Sequence, residues 1–304
     1  MPAPDGTASA LLAGLVALLA GTLRLSLPVL ITSVGATFTE LGGVVNIGLE
    51  GMMLFGAFAS AWAGSAWGPL AGIAAGTAAG GLLALVHGLA AVRFRVDHIV
   101  SGVAINLLAA GLVRIGSYRA FGTATTSGRV EGLPPLSVPS VGHVSPLVIV
   151  GFLLVFVAWY VQRRTPFGLR LRACGENPLA ADTLGVNVEA MRMAGVVLSG
   201  MMAGLAGSYL VVELNHVYVE GMTQGRGYVA LAAMIFGNWT PTGAALASLL
   251  FGAAEALSIQ ANVAIPYQFL EMVPYVVTLL ALAGVVRRST PPAAVGTHYS
   301  RGED

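Results

Sequence analysis

The sequence predicts an all-α polytopic integral membrane protein with about ten (eight to ten) transmembrane helices, some short or broken, and one short capped helix in a polar loop. Composition points there first: 304 residues are 56% hydrophobic and only 10% charged, with 40 glycines and a mean hydropathy of +0.80, far from soluble domains. Apolar runs of near-span length then recur from residue 9 to residue 286, punctuated by Gly, Pro and Arg. Between them lies one polar island, 162–187, carrying Arg163, Arg164, Arg170 and Arg172. Clustered Arg beside apolar spans marks a cytosolic loop.

In order, 9–23 and 26–39 read as two apolar segments separated by Arg24 and Pro28. The N-terminus carries Asp5 rather than a basic stretch, so the first span is expected to be retained. Residues 40–51, with Glu40, Asn46, Glu50 and four glycines, interrupt the pattern. A mid-membrane carboxylate costs about 2.5–3.5 kcal/mol on insertion scales. The stretch therefore reads either as an interfacial turn or as a broken helix beside a translocation path. Residues 52–65 lead to Trp62 and Trp67, and 70–92 carries Gly72, Gly76 and Gly80, a close-packing face. Arg93 and Arg95 end that span on the cytosolic side. Residues 99–118 cross outward around Asn106, a Gly/Pro/Ser/Thr-rich loop at 119–145 lies on the far side, and 146–161 returns.

Within 162–187, Asn177 can cap a helix, Pro178 suits its first position and Gly185 can end it in a left-handed conformation. Two turns are too few to be stable alone. That helix either packs on the membrane spans or docks a cytosolic partner. Cys174, the single cysteine, excludes an internal disulfide. Asn187 and Glu189 open the next span, 188–213, with Gly200 and Gly204 on a packing face. Glu213, Asn215, His216 and Glu220 form a polar turn; His216 reads as solvated, Arg226 and Glu220 as a possible interfacial ion pair, and no metal is assigned. The short apolar piece 225–237 precedes a turn with Trp239 and Pro241, a span at 244–260 containing Glu255, and a last span at 270–286. Arg287 and Arg288 then place the tail, 289–304, in the cytosol. Gly-interrupted breaks near 40–51 and 221–239, each preceding two spans, form a loose internal symmetry of the kind that points to a transporter's path.

Several classes are excluded. Net charge is +1 and no basic run interleaves with aromatics, so nucleic acid is not an expected partner. All 15 basic residues are Arg, so neither a lysine-bearing phosphate loop nor a Schiff base is available. The chain is not expected to be an enzyme or to hold a cofactor, and an intramembrane hydrolase lacks its H-E-x-x-H pair.

Three stretches carry a resemblance: GVVNIGLEGMM at 43–53, GENPLAADTLGVNV at 175–188 and GRGYVALAAMIFGNWTPTGA at 225–244. Together they resemble permease subunits of bacterial ATP-binding-cassette importers of the ribose/branched-chain-amino-acid superfamily, nucleoside branch. The resemblance covers about residues 40–290. It implies that the whole chain, 1–304, is one permease domain in the bacterial inner membrane, with 162–187 as its coupling loop. It further implies that Gly175, Glu176, Asn177, Pro178, Leu179, Ala180 and Gly185 form a cytosolic coupling helix docking on a separate ATPase. Asn46, Glu50, Glu213 and Arg226 are expected near the path or its mouth. Implied partners are the cytosolic ATPase, a second permease subunit, identical or not, and an extracytoplasmic substrate-binding lipoprotein. Leu41, where the family often has Arg, and Asn238, near which a basic residue is common, depart from its pattern. The alternatives are a sugar such as ribose as cargo, or an ion-coupled secondary transporter using Glu50 or Glu255 as a proton site.

Overall fold

The computed structural model describes residues 5–138, 142–260, 276 and 290–300, with side chains from residue 14 onward except at 137–144. The expected span at 270–286 and the arginines after it lie outside the described residues, apart from residue 276. Among the described residues ten named α-helices run in the order α1 (Asp5–Leu41), α2 (Leu49–Trp67), α3 (Pro69–Gly88), α4 (His98–Phe121), α5 (Pro146–Arg164), α6 (Pro166–Glu176), α7 (Pro178–Thr183), α8 (Val188–Tyr209), α9 (Arg226–Phe236) and α10 (Pro241–Gln260). One π-helical turn extends α3 over Leu89–Arg93 and another extends α8 over Leu210–Asn215. Among the described residues, six helices are long and apolar enough to cross a membrane, and the shorter α9 is apolar as well. The outer surface agrees with them: Leu70, Leu107, Ile115 and Phe156 are each more than 60% exposed, which suits lipid and not water.

Two expectations are corrected. The segments 9–23 and 26–39 are one continuous helix of 37 residues with Pro28 inside it. Proline at 28 has no N–H for the carbonyl of Arg24, four residues earlier, and would normally break or kink the helix. Here the buried Tyr209 hydroxyl of α8 donates to that carbonyl at 3.1 Å. The Arg24 guanidinium in turn donates to the free carbonyls of Glu213 and Leu214 (3.2 and 3.4 Å), which end the π-helical turn of α8. Each element supplies what the other's backbone lacks, so the proline is tolerated. The 119–145 loop is also not wholly irregular: a short antiparallel hairpin, β1 (Leu136–Val138) with β2 (Gly142–Val144), pairs Leu136 with Val144 and Val138 with Gly142.

The centre of the bundle is α2, α3 and α8, which meet almost backbone to backbone. A Cβ on Gly80 would stand 2.3 Å from the Gly200 carbonyl oxygen, and one on Gly204 2.2 Å from that of Gly76. Glycine is therefore required at these contacts, as the four-residue spacing predicts. Around this block the core is aliphatic: Leu27, Leu30, Ile31, Met53, Leu210 and Val211 are buried in one cluster. At one end of the bundle Arg93 lies 3.6 Å from Glu189, and Arg163 and Arg172 line a cavity with Leu41, Glu176 and Asn238. At the other, Val130 and Ser127 N–H groups donate to the carbonyls of His216 and Tyr218, zipping the loop after α4 to the loop after α8.

Candidate functional site

Between α1 and α2 the chain leaves helical geometry at Gly42–Gly48, with Gly43 at φ 90°. Asn106 of α4 closes the gap. Its amide donates to the Ile47 carbonyl (3.0 Å) and the Tyr228 hydroxyl (2.9 Å), and its oxygen accepts from Gly51 N–H (2.7 Å). Asn106 lies eight residues into α4, so the gap's inner edge sits about 12 Å from the arginine-rich end, deep in the bundle. Freed backbone groups at such depth need protein partners, and Asn106 and Asn46 supply them. The interruption thus runs from the arginine-rich end, where Gly43 lies against Arg192, inward to Gly51.

Glu50, in the first turn of α2, meets the start of α9. Its Oε1 accepts from the Thr223 hydroxyl (2.6 Å) and Gly225 N–H (2.9 Å), and its Oε2 from Gly227 N–H (2.8 Å). Helix α9 has 11 residues, about 16 Å, roughly half a bilayer's hydrocarbon core. It is a half-helix starting at depth, reached by the loop 216–225, and its free N–H groups and positive dipole end are met by Glu50. Arg226, the first residue of α9, pairs with Glu255 of α10 at 2.7 Å, with both side chains mostly shielded. Arg226 thus pairs with Glu255 and not with Glu220, the alternative its sequence neighbourhood offered. The hairpin of α9 and α10 brings together positions 29 residues apart, which adjacency in sequence does not suggest. At the far end of α9, Glu40 accepts from the Trp239 indole N–H, tying the last turn of α1 to the α9–α10 turn.

Of the four residues expected near the path, Glu50 and Arg226 come together at the start of α9. Asn46 does not face them: it is buried, its oxygen accepting from Gly48 N–H (3.0 Å), and it shapes the break. Glu213 lies in the π-helical turn after α8, near the opposite end, accepting from Leu133 N–H at 3.3 Å. His216 is half-buried with φ 54°, beside Gly132. Among the described residues no group of three or more His, Cys, Asp or Glu is placed to hold a metal. Sequence reasoning missed Glu40–Trp239 and Tyr209, whose partners lie 199 and 185 residues away.

The polar island is built largely as its residues predict, though its first half is also helical. Thr165 caps α6, accepting from Gly168 N–H (3.3 Å). Asn177 caps α7, accepting from Ala180 N–H at 3.0 Å; Pro178 is its first residue, and Gly185 follows it at φ 82°. Such a cap contributes about 1 kcal/mol. Leu179 and Leu184 are 53% and 85% exposed, so α7 turns its large apolar side chains away from the bundle. Gly175 marks the joint: a Cβ there would stand 2.2 Å from the Leu41 carbonyl oxygen, so α6 rests directly on the end of α1. Cys174 is fully buried, in α6 and not in a loop, and burial pushes its thiol above the ordinary range while Arg192 pulls the other way. A polar cavity of about 170 Å³ separates this unit from the α9–α10 turn, lined by Gln162, Arg163, Arg172, Glu176 and Asn238 among others.

Residues 9–282 match the model of the family described as "Branched-chain amino acid transport system / permease component". The chain is 39% identical to the guanosine ABC transporter permease protein NupQ of Bacillus subtilis, over 93% of this chain and 96% of that one. It is likewise 39% identical to the nucleoside ABC transporter permease protein NupC of Lactococcus lactis, over 94% and 97% of the two chains. A putative glucose ABC transporter permease protein, TsgC13 of Haloferax volcanii, is 30% identical over 94% and 98%. No solved structure matches the chain.

Proposed function

We propose, from the premise that this chain belongs to the branched-chain amino acid transport system / permease component family, that it is the transmembrane permease subunit of an ATP-binding-cassette importer carrying nucleosides. The observation that carries the reading is 39% identity, over more than nine-tenths of the chain, to permeases named for guanosine and for nucleosides.

The geometry at α9 supports a neutral cargo. Half-helix N-termini in transporters commonly receive an anionic group of the substrate. Here the protein's own Glu50 occupies that position, with donors on both oxygens. A second carboxylate or a phosphate would meet like charge there, whereas a nucleoside or a sugar carries none. The same saturation argues against Glu50 as the proton site of a secondary carrier.

The arginine-rich end faces the cytosol by the positive-inside rule, which makes α6–α7 the surface offered to an ATPase. Leu179 and Leu184 are its apolar anchors, and Gly175 to Gly185 are the coupling segment. We read the chain as crossing a bacterial inner membrane eight to ten times, a count above the six spanning helices of the described residues. ATP-driven closure of the partner pushes α6–α7, and rigid spans switch the path between outward and inward access. A second permease subunit and an extracytoplasmic binding lipoprotein complete the importer.

The test is uptake of labelled uridine, inosine and guanosine by cells with and without this gene, competed by unlabelled nucleosides, nucleoside monophosphates and ribose. Uptake is expected to vanish on deletion and to be competed by nucleosides alone. Unchanged uptake, or equal competition by ribose, would overturn the assignment of the cargo; competition by monophosphates would overturn the argument from Glu50.

A further inference from the structure

Residues 290–300 lie across the arginine-rich end as an irregular strap with a turn at 293–296. Thr290 N–H donates to Asn238 Oδ1 (3.0 Å), Ala293 N–H to Glu176 Oε2 (3.3 Å), Ala294 N–H to the Gly175 carbonyl (2.8 Å) and Gly296 N–H to the Gly43 carbonyl (3.0 Å). Beyond these, Arg192 Nη1 of α8 donates to the Thr297 carbonyl at 2.8 Å, and Tyr299, 8% exposed, packs into a cluster with Cys174, Ala181 and Val188. A segment without helix or strand orders only when many simultaneous contacts offset its lost freedom. These contacts are not spread at random. They fall on the α6–α7 unit, the break between α1 and α2, the α9–α10 turn and the start of α8.

We propose that residues 290–299 are a mechanical tie joining the α6–α7 unit to the two interruptions of the membrane helices, with Arg192 and Tyr299 as its positioning residues. The α7 helix cannot make that link itself, since its large apolar side chains face outward. Arg192 is the pivot: besides Thr297 it reaches the Cys174 carbonyl at 3.5 Å, and it lies against Gly43, where a Cβ would stand 2.8 Å from its Nη2. A push on α6 is therefore felt at Gly43, and through the strap at Asn238, without passing along a whole span. This inference rests on the reading of α6–α7 as the docking unit.

The experiment compares the full-length chain with Tyr299→Ala, Tyr299→Phe and a chain ended after Thr297, each assembled with its ATPase in proteoliposomes. One readout is the alkylation rate of Cys174 by a small maleimide, followed on the Cys174 peptide by mass spectrometry. Tyr299→Ala and the shortened chain are expected to label about tenfold faster, and Tyr299→Phe, which keeps the buried ring, more slowly than either. The second is nucleoside transported per ATP hydrolysed, expected to fall about threefold in the same two variants while the ATPase still co-purifies. Unchanged labelling would show that the strap does not cover α6. Faster labelling with an unchanged transport ratio would make it a cover and not a tie, and either result overturns the proposal. If the unaltered complex moves no nucleoside, the reading of the cargo fails; the labelling readout still decides where the strap lies.

Discussion

Replacing Glu50 by Gln tests the claim that this carboxylate holds the half-helix α9 in place. The side chain keeps its shape and loses its charge and one acceptor. Three donors converge on Glu50, two of them backbone N–H groups held on opposite oxygens. Glutamine must turn its amide nitrogen towards at least one donor, leaving a shielded N–H without an acceptor, at a cost of about 1–3 kcal/mol. Loss of the negative charge at the start of α9 adds about 0.5–1 kcal/mol. The sum is about 1.5–4 kcal/mol, which at about 2 °C per kcal/mol for a chain of this size lowers the thermal midpoint by about 3–8 °C. The midpoint is read in detergent from intrinsic tryptophan fluorescence, alongside nucleoside uptake. Because α9 loses its anchor at depth, uptake is expected to fall with the midpoint. A Glu50→Gln protein that melts within about 1 °C of the original would refute the anchoring argument. One that melts normally but loses only proton-dependent uptake would restore the secondary-carrier reading.

Two further outcomes are expected. Leu179→Asp, at a half-exposed position on α7, and Pro178→Gly should leave membrane insertion intact and change stability by less than about 0.5–1 kcal/mol, yet lower ATP-driven uptake; full uptake by both variants would remove α7 from the coupling surface. Gly204→Val should cost at least about 1–3 kcal/mol by overpacking, since even a first carbon would stand 2.2 Å from the Gly76 carbonyl oxygen; a monodisperse peak of normal yield in size-exclusion chromatography would contradict the close approach of α3 and α8.

What the sequence made legible was chemistry that acts within one turn of its own residue. Asn177, Pro178, Gly185 and Asn187 announce their caps because a short side chain or a fixed φ can serve only a backbone group two or three positions away. The glycines at four-residue spacing on α3 were equally readable, since only a close neighbour explains them. Pairings through space were not. Pro28 looked like a boundary because nothing nearby satisfies the Arg24 carbonyl, and its donor, Tyr209, belongs to another helix. Glu50 looked like a path residue because an intramembrane carboxylate suggests transport, while its partners at Thr223, Gly225 and Gly227 depend on the depth at which α9 begins. The tail read as a plain cytosolic extension, for its backbone donors and acceptors carry no side-chain signature. Among the described residues the six helices of spanning length agree with the expected class.

The backbone-to-backbone contact of α3 with α8 has a thermal consequence. In water a core coheres through the release of ordered solvent, a drive that fades on cooling and leaves its mark as a large heat-capacity change. Helices already surrounded by hydrocarbon gain nothing from that source and adhere through dispersion, aided by weak Cα–H···O contacts. Glycine pairs take this to its limit, since they have no rotamers to freeze and no hydrocarbon to shield. The α3–α8 seam should therefore hold nearly as well in the cold as at growth temperature. If the importer slows on chilling, the cause belongs to the lipids, to the ATPase or to the water-facing strap.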